Sequence, residues 1–364
     1  MPSLPESIWA WKCTPGADKV LHKEKVQLPK VEPNGLLVKI RAMGVCHSDC
    51  LIRDLPEAPA QFLKEWTLGH EGAGEIIEIG SEVDKSAFEV GDMVAIHPVP
   101  GCGKCPPCQS GYQRICMTSG KGGYGLGYDG FMQEYLAVRA DACAKVPEGV
   151  PAEHACIAAD ALLTAYHAVK YTADVKPDQT IAITGLGGLG LNGLQTALHL
   201  GVKRIIAFDK RQEALDIAIR MGLKPEDAYC TSETQSKPIP EILGEKGIVI
   251  DTVVDFVGHE ETISLAQQII RPIGLIVLVG LLSQTVSVVP YLVTQNCLTI
   301  KGSFCGDMNG LNEVLQLLKE GVLKPETSTD SIDNMPQTLR DLDDGKIVGR
   351  RILLPDWSKE GGML

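Results

Sequence analysis

Cys102, Cys105, Cys108 and Cys116 crowd the run GCGKCPPCQSGYQRIC at the spacing Cys-x2-Cys-x2-Cys-x7-Cys. Four thiolates this close can surround one ion, and a soft tetrahedral sulfur set selects Zn2+ or an iron–sulfur centre. Four protein ligands leave no open position, so this site reads as structural and the chemistry must lie elsewhere. Two sparser motifs offer a thiolate at Cys46, in GVCHSD, and an imidazole at His70, in GHEG, each on a Gly-bounded turn. A third motif is GLGGLG, entered from the apolar run Thr180–Thr184 and followed by a helical pattern. Gly185 makes the turn, Gly187 lets the backbone approach a pyrophosphate, and Gly190 lets helix and strand pack, while the helix N-terminus stabilises the anion. Asp209 ends the next predicted strand, where it would accept hydrogen bonds from the adenosine ribose and repel a 2′-phosphate, favouring NAD over NADP. Lys210 and Arg211 beside it pull the other way.

The elements that must hold these residues fall into two textures. Up to about Pro151 the chain reads as β-rich, with strands at Gly35–Ala42, Gly74–Ile79, Asp92–Ile96 and Met132–Val138. From Ala152 an Ala-rich helix leads into alternating segments. Thr180–Thr184, Arg204–Asp209, Val249–Val257 and Leu275–Leu281 read as strands, and Leu189–Leu200, Arg211–Met221 and Glu261–Ile270 as helices. That alternation predicts an α/β unit, a parallel sheet with helices on both faces. After Gly302 the texture changes again, with an amphipathic helix at Leu311–Leu318 and a closing strand at Arg350–Leu354. The stretch Val286–Ile300 reads as strand-rich.

A chain of 364 residues suits two domains. Its formal charge of −12 argues against a general nucleic-acid binder, which needs a basic face. The apolar stretch around Gly274–Leu282 is too short to span a membrane, and MPSLPESIWAWK lacks a signal-peptide pattern. With 12 cysteines and no secretory pattern, the expected compartment is reducing and cytoplasmic.

Taken together, GVCHSD, GHEGAGEI, the four-cysteine run, GLGGLG and IVGRR resemble the zinc-dependent alcohol dehydrogenases of the medium-chain dehydrogenase/reductase family, in the same order and over nearly the whole chain. The resemblance implies a discontinuous, β-rich GroES-like catalytic domain (1–163 and 309–364, with a zinc lobe at about 100–118) and a Rossmann NAD-binding domain (164–308). It implies hydride transfer between an alcohol, or its aldehyde or ketone, and NAD(H), with the alkoxide stabilised on a zinc held by Cys46, His70 and Asp160. A second, structural zinc would sit on Cys102, Cys105, Cys108 and Cys116. Asp160 is preferred to Cys156 as third ligand because it is in register with the downstream Thr164-Ala-Tyr-His.

The same resemblance gives Asp49 the task of orienting His70, puts Glu71 behind the metal, and makes Ser48 the group that bonds the substrate oxygen. The next relay position, usually His, is Leu51 here. His47 and Arg350 would meet the cofactor pyrophosphate, and Thr164, Val279 and Gly280 the nicotinamide end. His97 admits two readings, a pocket-wall residue or a loop histidine satisfied by backbone groups. Relatives of this kind are homodimers or homotetramers, and Val286–Ile300 would suit subunit pairing. The competing readings are an NADP-linked carbonyl reductase and a zinc-independent quinone or enoyl reductase on the same fold.

Overall fold

The computed structural model describes residues 4–16, 20–118, 122–232 and 237–357. The chain divides into two compact units. One comprises the chain up to Leu163, Gly306–Gly321 and the segment from Thr327; the other comprises Thr164–Cys305 and Val322–Glu326.

The first unit is built on a seven-stranded sheet whose central strand, Gly35–Val45, hydrogen-bonds Glu71–Ile79, Arg350–Leu354 and Tyr135–Arg139. Leu36, Val38 and Ile40 alternate along it and pack with Trp66, Ile76 and Phe131 into one core, as the period-two pattern dictates. Register does the positioning. Gly44 lies opposite Glu71, so the strand end that delivers Cys46 meets the strand start that follows His70. Gly44 has to be glycine, because a Cβ there would stand 2.0 Å from Glu71 Oε2. On the other side, Arg351 pairs with Val45, which brings Arg350 to the same corner. A smaller sheet orders Val20–Gln27, Ser7–Thr14 and Trp66–Thr67. Ser7–Thr14 carries Trp9, Trp11 and Lys12, and His22, Lys23, Glu24 and Lys25 fill the middle of Val20–Gln27, so neither matches the short Val- and Ile-rich runs expected as strands.

The second unit holds a parallel six-stranded sheet. Its strands run in the order Ala228–Cys230, Arg204–Asp209, Thr180–Thr184, Ile250–Asp255, Ile270–Leu278, Thr299–Gly302. Strand order reverses beside Thr180–Thr184, the kind of switch point at which such sheets bind ligands. The helices Gly190–His199, Gln212–Arg220 and Glu260–Ile269 complete the alternation. Val286–Ile300 departs from expectation: it forms a helix at Pro290–Gln295, and a strand begins only at Thr299. Pro290 explains the change, since proline cannot donate to a ladder but suits a first helical turn. Among the described residues no helix is long and apolar enough to cross a membrane.

Candidate active site

The thiol of Cys46, the imidazole of His70 and a carboxylate oxygen of Asp160 all lie within 4.8 Å of one another. Each comes from a different local device. Cys46 is the N-cap of the helix His47–Arg53. His70 follows Gly69, whose φ of 90° makes the turn into the strand. Asp160 sits on the π-helical turn Ala158–Leu162, a distortion that recurs at functional sites. Cys156, the rival ligand, stands apart from this group, and its thiol donates to the Glu153 carbonyl.

Asp49 braces two of the three. One carboxylate oxygen accepts the Cys46 N–H at 2.9 Å and the other lies 2.9 Å from His70 Nδ1. That contact fixes the ring with Nε2 toward Asp160, 3.4 Å away. Burial by itself would keep the His70 imidazole neutral, but the charge of Asp49 and the hydrogen bond donated to Asp160 turn the shift strongly upward. Burial likewise opposes the Cys46 thiolate, and Arg350 and His70 reverse the balance and lower its pKa. Asp160 is held well below the usual carboxylate range, against burial, by His70 and Arg350. A thiol tuned toward thiolate, a carboxylate and an imidazole whose Nε2 faces them form a donor set that fits a divalent cation, and three protein ligands leave a position for substrate.

Arg350, expected at a cofactor pyrophosphate, is buried with Nη2 3.0 Å from Glu71 Oε1 and 3.4 Å from Asp160 Oδ2, and Nη1 3.3 Å from the Val45 carbonyl. The register with Gly35–Val45 directs its guanidinium at the acidic corner. Glu71 Oε1 also accepts the Ala161 N–H at 3.0 Å, tying it to the turn that carries Asp160. Burial pushes the Glu71 carboxyl well up despite Arg350. No local pattern announces this link, because its residues lie hundreds of positions apart.

The remaining expected residues are placed as follows. The Ser48 hydroxyl is half-buried and 3.8 Å from Cys46 Sγ. His47 Nε2 faces the Leu342 carbonyl at 3.1 Å. His97 takes the backbone-satisfied form, buried with Nε2 3.1 Å from the Gly306 carbonyl and Nδ1 accepting the Val99 N–H. Leu51 is exposed on the helix after Cys46, and Trp66 is core.

In the four-cysteine lobe, Cys105 Sγ stands 3.8 Å from Cys116 Sγ, and Cys102 Sγ 4.0 Å from Cys108 Sγ. Tetrahedral zinc–sulfur bonds of about 2.3 Å place sulfurs about 3.8 Å apart, so the lobe fits zinc without rearrangement. Hydrogen bonds from Thr118 and from the Lys104 and Cys105 N–H groups lower the Cys102 thiol to about 7.

In the second unit the glycine turn is built for close approach. Gly185 has φ 83°, and a Cβ on Gly190 would lie 1.7 Å from the Gly185 carbonyl oxygen. Gly187 is open, its nearest neighbour to a Cβ being Arg211 Nη2 at 3.9 Å. Asp209 is buried at the end of its strand, accepting the Leu186 N–H at 2.6 Å and the Arg211 N–H at 2.8 Å, with Arg211 Nε 3.3 Å away. It therefore also holds the glycine turn in place. Thr164 is buried, and the N–H groups of Val279 and Gly280 both donate to the Asp255 carbonyl.

Residues 32–148 match the Alcohol dehydrogenase GroES-like domain and residues 188–320 the Zinc-binding dehydrogenase family. The NAD-dependent alcohol dehydrogenase of Sulfurisphaera tokodaii is 31% identical over 346 residues, covering 93% of this chain and 97% of that protein. Acetophenone reductase from Geotrichum candidum, solved in complex with NAD, superposes with a TM-score of 0.87 at 30% identity, covering 98% of this chain and all 100% of that one. The alcohol dehydrogenase of Aeropyrum pernix gives a TM-score of 0.86 at 27% identity, covering 95% of this chain and 100% of its own.

Proposed function

The chain belongs to the zinc-dependent medium-chain alcohol dehydrogenases, NAD-linked oxidoreductases of alcohols, and from that premise we propose which of its residues do the work. Cys46, His70 and Asp160 hold the catalytic zinc, and Cys102, Cys105, Cys108 and Cys116 hold the structural one. The observation that carries this reading is the convergence of a thiol, an imidazole nitrogen and a carboxylate within 4.8 Å. When bound, zinc supplies Lewis acidity that acidifies an alcohol, and NAD supplies the hydride acceptor.

The chain's own residues prepare that chemistry. Ser48 accepts the alcohol proton and passes it to solvent or to the cofactor ribose, because Leu51 offers no group to receive it. Asp49 keeps His70 in the tautomer that presents Nε2. Arg350 compensates the carboxylates of Asp160 and Glu71, so a buried acidic corner can exist. Gly185, Gly187 and Gly190 admit the pyrophosphate to the helix N-terminus, and His47 donates to it. Asp209 selects NAD through the adenosine ribose. Thr164, Val279 and Gly280 line the nicotinamide end. Arg211, beside Asp209, gives the NADP-linked alternative its one supporting contact.

The protein acts in the cytoplasm as a homodimer or homotetramer. Supporting the oligomer, the edge strand Thr299–Gly302 lies in the same unit as exposed Leu281, Leu282 and Tyr291.

The test joins metal analysis to turnover. Two zincs per chain, oxidation of a panel of primary, secondary and aromatic alcohols with NAD ahead of NADP, and loss of turnover with one zinc kept in Cys46→Ala and His70→Ala are expected. Full activity after removal of the more labile zinc would sink the catalytic assignment.

A further inference from the structure

The first unit contains a cavity of about 540 Å³ outside the metal corner. Volumes of this size are typical of small-molecule sites. Its lining divides by chemistry. Leu28, Leu63 and Tyr128 supply an apolar wall, and Lys12, Thr67 and Asp129 a polar floor, with Lys30 on the exposed rim.

The polar floor has hydrogen-bonding capacity left over. The Lys12 side chain is only 11% exposed, and its ammonium reaches Asp129 Oδ1 at 2.8 Å. An ammonium carries three donors, so one carboxylate oxygen does not exhaust it. That same oxygen also accepts the Thr67 N–H at 2.7 Å. The Thr67 hydroxyl, on a residue only 1% exposed, has no hydrogen-bond partner among the described residues. Two ammonium groups against one carboxylate favour an anion, and the apolar wall favours a carbon body attached to it.

We propose that this cavity binds a small amphipathic monocarboxylate, its carboxylate received by Lys12 and its apolar body laid against Leu63 and Tyr128. The site is joined to the metal corner through the backbone. Gly130 N–H donates to the Thr67 carbonyl and Phe131 N–H to the Gly69 carbonyl, immediately before His70.

The probe is 3-phenylpropionate, titrated into the zinc-loaded protein by calorimetry, with 3-phenylpropionamide as the uncharged control. Saturable binding at one site is expected, weaker by roughly tenfold or more for the amide and in Lys12→Met, the scale of a lost charged hydrogen bond. Leu63→Trp, a substitution at a 42% exposed rim position, fills the cavity without burying new polar groups and is expected to weaken binding to the same degree while leaving alcohol turnover unchanged. It keeps the proposal testable should Lys12→Met fold poorly. Inhibition by 3-phenylpropionate that is competitive with the alcohol and indifferent to Leu63→Trp places the carboxylate on the metal and overturns the proposal, as does the absence of saturable binding.

Discussion

Arg350 Nη2 stands 3.0 Å from Glu71 Oε1, with both side chains sealed from solvent. This contact joins the closing strand of the first unit to the acidic corner that holds Cys46 and Asp160. Removing one member of a buried ion pair typically costs about 3–5 kcal/mol, because the other charge is left uncompensated. Arg350→Met is therefore expected to lower the melting temperature and to release the catalytic zinc while the four-cysteine zinc stays. Calorimetry with zinc counted per chain checks this. A variant that keeps both zincs and shows only a raised KM for NAD would return Arg350 to the cofactor.

Asp49 serves two clients at once, the Cys46 N–H and His70 Nδ1, both at 2.9 Å. An asparagine has one acceptor oxygen and must offer its amide to the other contact. Groups that orient a metal-bound histidine commonly contribute about 10–100-fold in metal affinity. Asp49→Asn is expected to weaken the catalytic zinc on that scale in a competition with a coloured chelator, with the lobe zinc unaffected. Equal affinity in the two proteins would leave Asp49 as a helix-capping residue alone.

These two residues also mark what the sequence makes visible. The four-cysteine lobe and the glycine turn are local patterns, so spacing alone announces their chemistry. The centre of the parallel sheet is legible because Thr180–Thr184, Arg204–Asp209 and the helix between them carry their own periods, whereas the edge strands Ala228–Cys230 and Thr299–Gly302 are too short to do so. Arg350 and Glu71 are 279 positions apart, from the difference of their residue numbers, and only the register of Arg350–Leu354 against Gly35–Val45 brings them together. The motif around Arg350 carried an expectation from its family, and that expectation concerned the cofactor. The same limit explains the hairpin Ser7–Thr14/Val20–Gln27. Its strands gain stability from pairing and from Trp11 packing in the core, and sequence propensity sees neither.

Gly187 and Gly190 separate cofactor approach from packing. A Cβ at Gly190 would fall 1.7 Å from the Gly185 oxygen, so Gly190→Ala has to displace backbone. Overpacking of this kind costs about 1–3 kcal/mol or more, and Gly190→Ala is expected to lose stability in the absence of NAD. Gly187→Ala meets only Arg211 Nη2 at 3.9 Å and is expected to melt like the parent. Its defect should appear as a raised dissociation constant for NAD, read by quenching of protein fluorescence. Parent-like NAD affinity in Gly187→Ala would remove the pyrophosphate from that turn.

His97 predicts a pH dependence of stability. Its Nδ1 accepts the Val99 N–H and its Nε2 faces the Gly306 carbonyl, both at 3.1 Å, so the neutral ring with the proton on Nε2 satisfies both neighbours. A second proton would confront the Val99 donor. Burial lowers the pKa below the usual 6.5, and the bonds to Gly306 and Val99 and the charges of Asp307 and Asp160 only partly offset it. The sign follows from linkage. Above about pH 6.5 neither state takes the proton and the stability is intact; as pH falls toward the lower folded-state value, the unfolded chain binds a proton that the folded chain refuses. One such group steepens the loss by up to about 1.4 kcal/mol per pH unit. The metal ligands also titrate, but they do so equally in His97→Asn. The difference between the two proteins, from urea unfolding at pH 7.5, 6.5 and 5.5, therefore isolates His97. The stability gap between parent and variant should narrow as pH falls, and a constant gap would mean that the ring titrates alike in the folded and unfolded chain.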